Sequence, residues 1–116
     1  MDAKHNLALV REWERLYNTD RNLLFDTLYA AECRVVYNGV SEFDGREALR
    51  EYQAQVDEHA PRRKLAVERV HAAGDIVVVE TVVRLDPAAA ALGACVVLTI
   101  RDGKIVEDRT YAPAGA

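Results

Sequence analysis

The run Ile76 to Leu85, IVVVETVVRL, can bury only one of its two faces. Successive side chains of an extended strand point to opposite sides. Val77, Val79, Thr81, Val83 and Leu85 then share one face, and Glu80 and Arg84 fall with Ile76, Val78 and Val82 on the other. Burying an unpartnered carboxylate or guanidinium costs several kcal/mol, so the Thr81 face is expected inside. A strand with one wet face belongs in an antiparallel sheet covered on one side.

Three more runs from Lys64 onward read as strands: Leu65 to Ala72, Ala94 to Arg101 and Lys104 to Ala112. Ala73-Gly74-Asp75, the Ala-rich stretch Asp86 to Gly93 and Asp102-Gly103 connect them, the Ala-rich stretch being expected as a mobile rim loop. The first half has a different texture. Leu9, Val10, Trp13, Leu16 and Tyr17 fall on one face of a helix spanning residues 6–17. Asp20 caps a shorter second helix that buries Leu24, Phe25 and Leu28, followed by a short strand, Cys33 to Asn38. Asp44 and Glu47 resemble a capping box for a third helix running to about His59, where Pro61 prevents continuation; Ala48, Leu49, Tyr52 and Val56 would face the core. Helices first and a strand meander after predict an α+β fold, with helices on one face of a curved, mostly antiparallel sheet.

A length of 116 residues, half of them hydrophobic, suits one domain spanning 1–116 with an ample core. Net charge is −4 with Lys and Arg scattered, which argues against nucleic acid as a partner. The densest positive cluster, Arg62-Arg63-Lys64, is expected as a solvated turn. No apolar run is long enough to span a membrane, no signal-peptide pattern opens the chain, and Cys33 and Cys95 read as reduced apolar side chains. The expectation is a cytoplasmic protein. His5, His59 and His71 lie far apart and form no ligand trio, so no metal site is expected, and no phosphate-binding loop is present.

The last hairpin, RDGKIVEDRTY, decides where Asp108 points. A two-residue Asp-Gly turn pairs Arg101 with Lys104 and sets Leu98 opposite Glu107. A three-residue loop pairs Ile100 with Lys104 and groups Val96, Leu98 and Ile100 with Val106, Asp108 and Thr110. The second register collects the more apolar face and places Asp108 inside, opposite Val96. The alternative is a surface Asp108 paired with Arg109 or Arg34.

The order of these elements, with VREWERLYNTD at the first helix, LYAAECRVVYNG entering the first strand, FDGREALREY entering the third helix and DGKIVEDRTY at the end, resembles the SnoaL-like branch of the nuclear transport factor 2-like superfamily. The resemblance covers nearly the whole chain. It implies a cone-shaped α+β barrel with three helices closing a bent sheet over a pocket, and a homodimer through the outer sheet face, where Ile76, Val78, Val82 and Val97 offer apolar surface. Relatives of this fold include ketosteroid isomerases, limonene-epoxide hydrolases, scytalone dehydratases and polyketide cyclases, so fold alone does not fix the reaction. The isomerase general base falls at Tyr37, with Asn38 next; the oxyanion-hole Asp falls near Val96, and the helix tyrosine near Glu12 or Trp13. The epoxide hydrolase Asp-Arg-Asp network falls at Val83, Thr81 and Thr110, without the charges. The two-histidine arrangement of the dehydratases is equally hard to build. SnoaL-type cyclases use an inward Asp on a late strand, and Asp108 is the nearest match.

Two functional expectations follow. One is an enzyme without cofactor, polyketide cyclase-like, in which Asp108 moves a proton and Tyr37 gives a hydrogen bond to a small hydrophobic substrate. Trp13, Tyr17 and Tyr52 from the helices, Thr81 and Val83 from the long strand, and Val96, Leu98 and Thr110 from the last two would contact that substrate. The other is a ligand-binding or dimerising module of the same fold, its interior either packed shut by Trp13, Tyr17, Leu28 and the valines or holding a ligand without transforming it.

Overall fold

The computed structural model describes residues 3–113. Its elements are α1 (Ala3–Thr19), α2 (Arg21–Leu28), β1 (Tyr29–Tyr37), β2 (Ser41–Asp44), α3 (Arg46–His59), β3 (Lys64–Ala73), β4 (Ile76–Arg84), β5 (Leu92–Arg101) and β6 (Lys104–Tyr111). Three helices pack on a six-stranded sheet of order β2-β1-β6-β5-β4-β3. The sheet is an open one, with β2 and β3 as its edges, and among the described residues every pairing is antiparallel except β1 with β6.

Strand β4 has the expected polarity. Val77, Val79 and Thr81 are buried, while Ile76 and Arg84 are exposed. On the wet face Glu80 accepts from Arg69 and meets His71, a cross-strand charge cluster that keeps this side polar. The buried face carries one continuous apolar cluster. Val10, Trp13 and Leu16 of α1, Leu24 and Phe25 of α2 and Leu49 of α3 pack on Val35, Val77, Val79, Leu98, Ile100 and Ile105. Asp20 caps α2 as expected, its carboxylate accepting from the Leu23 amide at 3.0 Å.

Several local expectations need correction. The capping box at Asp44 does not form. Gly45 is the N-cap of α3, with φ 95° and no side-chain bond, and Asp44 instead ends β2, opposite Arg34 of β1 in the ladder. That positive φ suits glycine, and the Gly45 amide donates to the Cys33 carbonyl at 2.7 Å, so the backbone fixes the entry to α3. Strand β2 was not anticipated; Asn38 (φ 52°) and Gly39 (φ 70°) supply the reversal that makes it. Strand β1 begins at Tyr29, four residues before the expected Cys33: Tyr29 pairs with Ile105 of β6, and the ladder is interrupted before it resumes at Arg34.

The last hairpin takes neither expected register unchanged. Asp102 (φ 51°) and Gly103 (φ 74°) form the two-residue turn, and Arg101 pairs with Lys104. A bulge then shifts the ladder between Thr99 and Ile100, and Leu98 rather than Val96 stands opposite Asp108. The extra residue returns Asp108 to the face that the three-residue loop would have given it. The Ala-rich segment contains a turn, with Asp86 accepting from the Ala88 and Ala89 amides. Both cysteines are free, and no helix among the described residues is long and apolar enough to cross a membrane.

Candidate active site

Alternation along β6 puts Asp108 and Thr110 on the inner face, two residues apart. Asp108 lies between Leu98 of β5 and Val35 of β1 and is 5% exposed. Its two oxygens have separate donors. The Tyr29 hydroxyl donates to Oδ2 at 2.6 Å, and the Thr110 hydroxyl to Oδ1 at 2.8 Å. Trp13 Nε1 donates to the Tyr29 oxygen at 3.1 Å, so a hydrogen-bonded line runs from α1 through β1 to β6. Its members sit among apolar neighbours, where unpaired polar groups would be costly, and each polar atom of the line has a partner.

Burial raises the Asp108 pKa above the usual carboxylate value, and the bonds from Tyr29 and Thr110 oppose that rise without cancelling it. The same burial, reinforced by the nearby Asp108 charge, lifts the Tyr29 hydroxyl well above the ordinary phenol range. Tyr29 therefore stays protonated as the donor. The surface pairing of Asp108 with Arg34 or Arg109 does not occur: Arg34 binds Glu42 at 2.7 Å, and Arg109 faces Glu107.

Asp108 lies on the wall of a cavity of about 470 Å³. Trp13, Tyr17, Tyr37, Tyr52, Thr81, Val83, Val96 and Thr110 line it together with Asp108, so nine of the ten residues singled out in the sequence meet at one space. Leu98 is the exception. It is fully buried against Asp108 in the core and is not part of the lining. The Thr81 hydroxyl donates to the Ala94 carbonyl at 3.0 Å, which ties β4 to β5 at the cavity wall. Tyr37 packs on Tyr52 and Phe43, with ring centroids 5.2 and 5.9 Å away. The interior packed shut by aromatics is not what forms: Trp13 and Tyr17 stand at the cavity edge with their rings 6.2 Å apart.

Tyr29, Gln53 and Arg63 are among the cavity residues that were not expected there. Arg63 is a correction to the solvated turn expected at 62–64, for it is 2% exposed. Its guanidinium donates to the Tyr17 hydroxyl at 3.1 Å, the Asp57 carboxylate at 2.6 Å, the Gln53 carbonyl at 2.6 Å and the Ala60 backbone oxygen at 3.3 Å. Asp57 gives the buried guanidinium a carboxylate partner, which it shares with Arg21. A planar fork with acceptors on α1 and α3 explains how an arginine next to Pro61 is taken inward.

Among the described residues no cluster of three or more His, Cys, Asp or Glu is placed to hold a metal ion. The chemistry the arrangement offers is proton transfer at Asp108 and hydrogen bonding from tyrosines, in a cavity walled mainly by apolar side chains.

The fold recurs among solved structures. A candidate SnoaL-like polyketide cyclase from Jannaschia sp. CCS1 superposes with a TM-score of 0.82 at 19% identity, covering 94% of this chain and 85% of that one. A protein with a ketosteroid isomerase-like fold from Catenulispora acidiphila DSM 44928, solved with trimethylamine, gives 0.76 at 26% identity over 89% and 83% of the two chains. TerC, co-crystallised with polyporic acid, gives 0.80 at 18% identity over 94% and 92%. No curated protein matches this sequence. The sequence profile described as the SnoaL-like domain matches residues 10–108, from α1 to the buried aspartate itself. The chain thus belongs to the SnoaL-like domain family.

Proposed function

We propose that this protein is an acid/base enzyme that works with its own side chains on a small hydrophobic molecule, in a cyclisation, isomerisation or hydration. The supporting observation is the Asp108 carboxyl group, buried on the wall of a 470 Å³ cavity and held by Tyr29 and Thr110. Desolvation brings its pKa upward toward the working range of a general acid or base. Two of its lone-pair directions are taken by the hydroxyl donors, and a carboxylate has about four. A bound substrate can exchange a proton through the remainder.

Proton abstraction can be followed without knowing the natural substrate. The wild-type protein is expected to catalyse deuterium exchange at the carbon next to the carbonyl of 2-tetralone in heavy water, read by NMR. Asp108→Asn should lower that rate on the order of 100-fold or more, with the folded spectrum preserved. An Asp108→Asn protein that exchanges as fast as the wild type would remove Asp108 from the chemistry and leave a binding module.

A further inference from the structure

The polar groups at the Arg63 side of the cavity form a chain whose direction is fixed by chemistry. An arginine has only donors. The Gln53 atom facing Arg63 Nη2 at 2.6 Å must therefore be its carbonyl oxygen. The other end of the same amide is then its NH2 group, and it donates to the Tyr37 hydroxyl at 3.1 Å. Tyr37 is thereby an acceptor toward Gln53, and its own hydrogen has to point elsewhere. The same reasoning holds for Tyr17. Its oxygen accepts from Arg63 Nε at 3.1 Å, so its hydrogen also turns away from the guanidinium. Both tyrosines line the cavity. Burial, with help from the nearby Asp108, Tyr52 and Tyr17, keeps the Tyr37 hydroxyl protonated.

We infer that Arg63 and Gln53 are positioning residues that turn the Tyr37 and Tyr17 hydroxyls into hydrogen-bond donors toward the cavity, and that this end of the site takes the carbonyl oxygen of an uncharged substrate. The inference rests on the acid/base reading of Asp108 for its catalytic meaning, since proton loss to Asp108 would leave negative charge on that oxygen. The surroundings favour such charge: Arg21 and Arg63 share the single carboxylate of Asp57, which leaves a surplus positive charge behind the tyrosines. A ligand offering only donors at this end would leave the two hydroxyls without acceptors.

Gln53→Glu reverses the polarity with little change of shape. Both oxygens of the new side chain accept, so Arg63 keeps its partner while the Tyr37 hydrogen is drawn back to residue 53. Binding of 2-tetralone and of tetralin, the matched hydrocarbon, is measured by calorimetry or ligand-observed NMR on wild type, Gln53→Glu, Tyr37→Phe and Asp108→Asn, with Tm checked for each. The wild type should prefer the ketone. Gln53→Glu and Tyr37→Phe should each lose about threefold to tenfold in ketone affinity and leave tetralin binding unchanged, a selective loss that a merely loosened cavity would not give. Asp108→Asn should keep the preference, because it alters no donor to either tyrosine; this separates the binding claim from the catalytic one. The inference is overturned if wild type shows no preference for the ketone, if Gln53→Glu and Tyr37→Phe retain it, or if it vanishes only in Asp108→Asn.

Discussion

Tyr29→Phe removes one oxygen atom and tests the coupling between burial and protonation at Asp108. The ring should stay where it is, edge-on to Phe25 at 5.8 Å. Two partners are stranded. Trp13, 3% exposed, loses the acceptor for Nε1, a buried unsatisfied donor worth about 1–3 kcal/mol. Asp108 loses its donor to Oδ2, worth about 1.5–3 kcal/mol when the carboxylate is charged and about 0.5–1.5 kcal/mol when it is neutral. The destabilisation should thus reach about 3–5 kcal/mol with Asp108 ionised and fall by about 1–2 kcal/mol with Asp108 protonated. The sign follows from linkage. The Tyr29 bond holds the Asp108 pKa down, so its loss leaves desolvation less opposed and raises the folded-state pKa further. For an acid raised above its unfolded value of about 3.9, the stability contribution is complete below that value and is lost as pH climbs through the folded-state pKa. Urea denaturation of both proteins between about pH 3.5 and pH 8 measures the gap. A gap independent of pH, or below about 1 kcal/mol throughout, would refute the hydrogen-bonded line as described.

Asp108→Asn should be more heat-resistant than the wild type at neutral pH, because asparagine never ionises, and the two Tm values should converge as pH falls below about 4. Each unit by which burial lifts the Asp108 pKa corresponds to about 1.4 kcal/mol, and a wild type more stable at pH 8 would contradict the upward shift. Leu98→Ala, under the aspartate and fully buried, should cost about 2–5 kcal/mol in chemical denaturation; a smaller loss would mean that the cavity collapses to fill the space.

The sequence showed the architecture well wherever burial is one-sided. Val77, Val79 and Thr81 could face only inward once Glu80 and Arg84 had to face out, and the α1 stripe through Trp13 and Leu16 was equally one-sided. What escaped depends on partners distant in the chain. Tyr29 follows a helix and precedes Ala-Ala-Glu, so nothing local marks it as a strand residue; its place comes from β6, whose Ile105 stands beside it. Arg63 looked like one of three surface cations, and its burial follows from acceptors on Tyr17, Gln53 and Asp57 that no local pattern connects. The hairpin shows a subtler case. The Asp-Gly turn alone would have sent Asp108 outward, and one bulged residue reverses the outcome. Asn38-Gly39 was a usable signal for β2, lying between CRVVY and SEFD.

The one parallel pairing among the described residues, β1 beside β6, has a bearing on how the molecule completes the surroundings of Asp108. Hairpins β3–β4, β4–β5 and β5–β6 can zip locally, but the bond from Tyr29 to Asp108 closes across 79 positions of chain. Closing so wide a loop is entropically late. A chain that has folded its meander but not yet received β1 would hold Asp108 without its phenolic partner, so the proton-transfer competence we propose should arise only with the final docking event and not grow gradually during assembly.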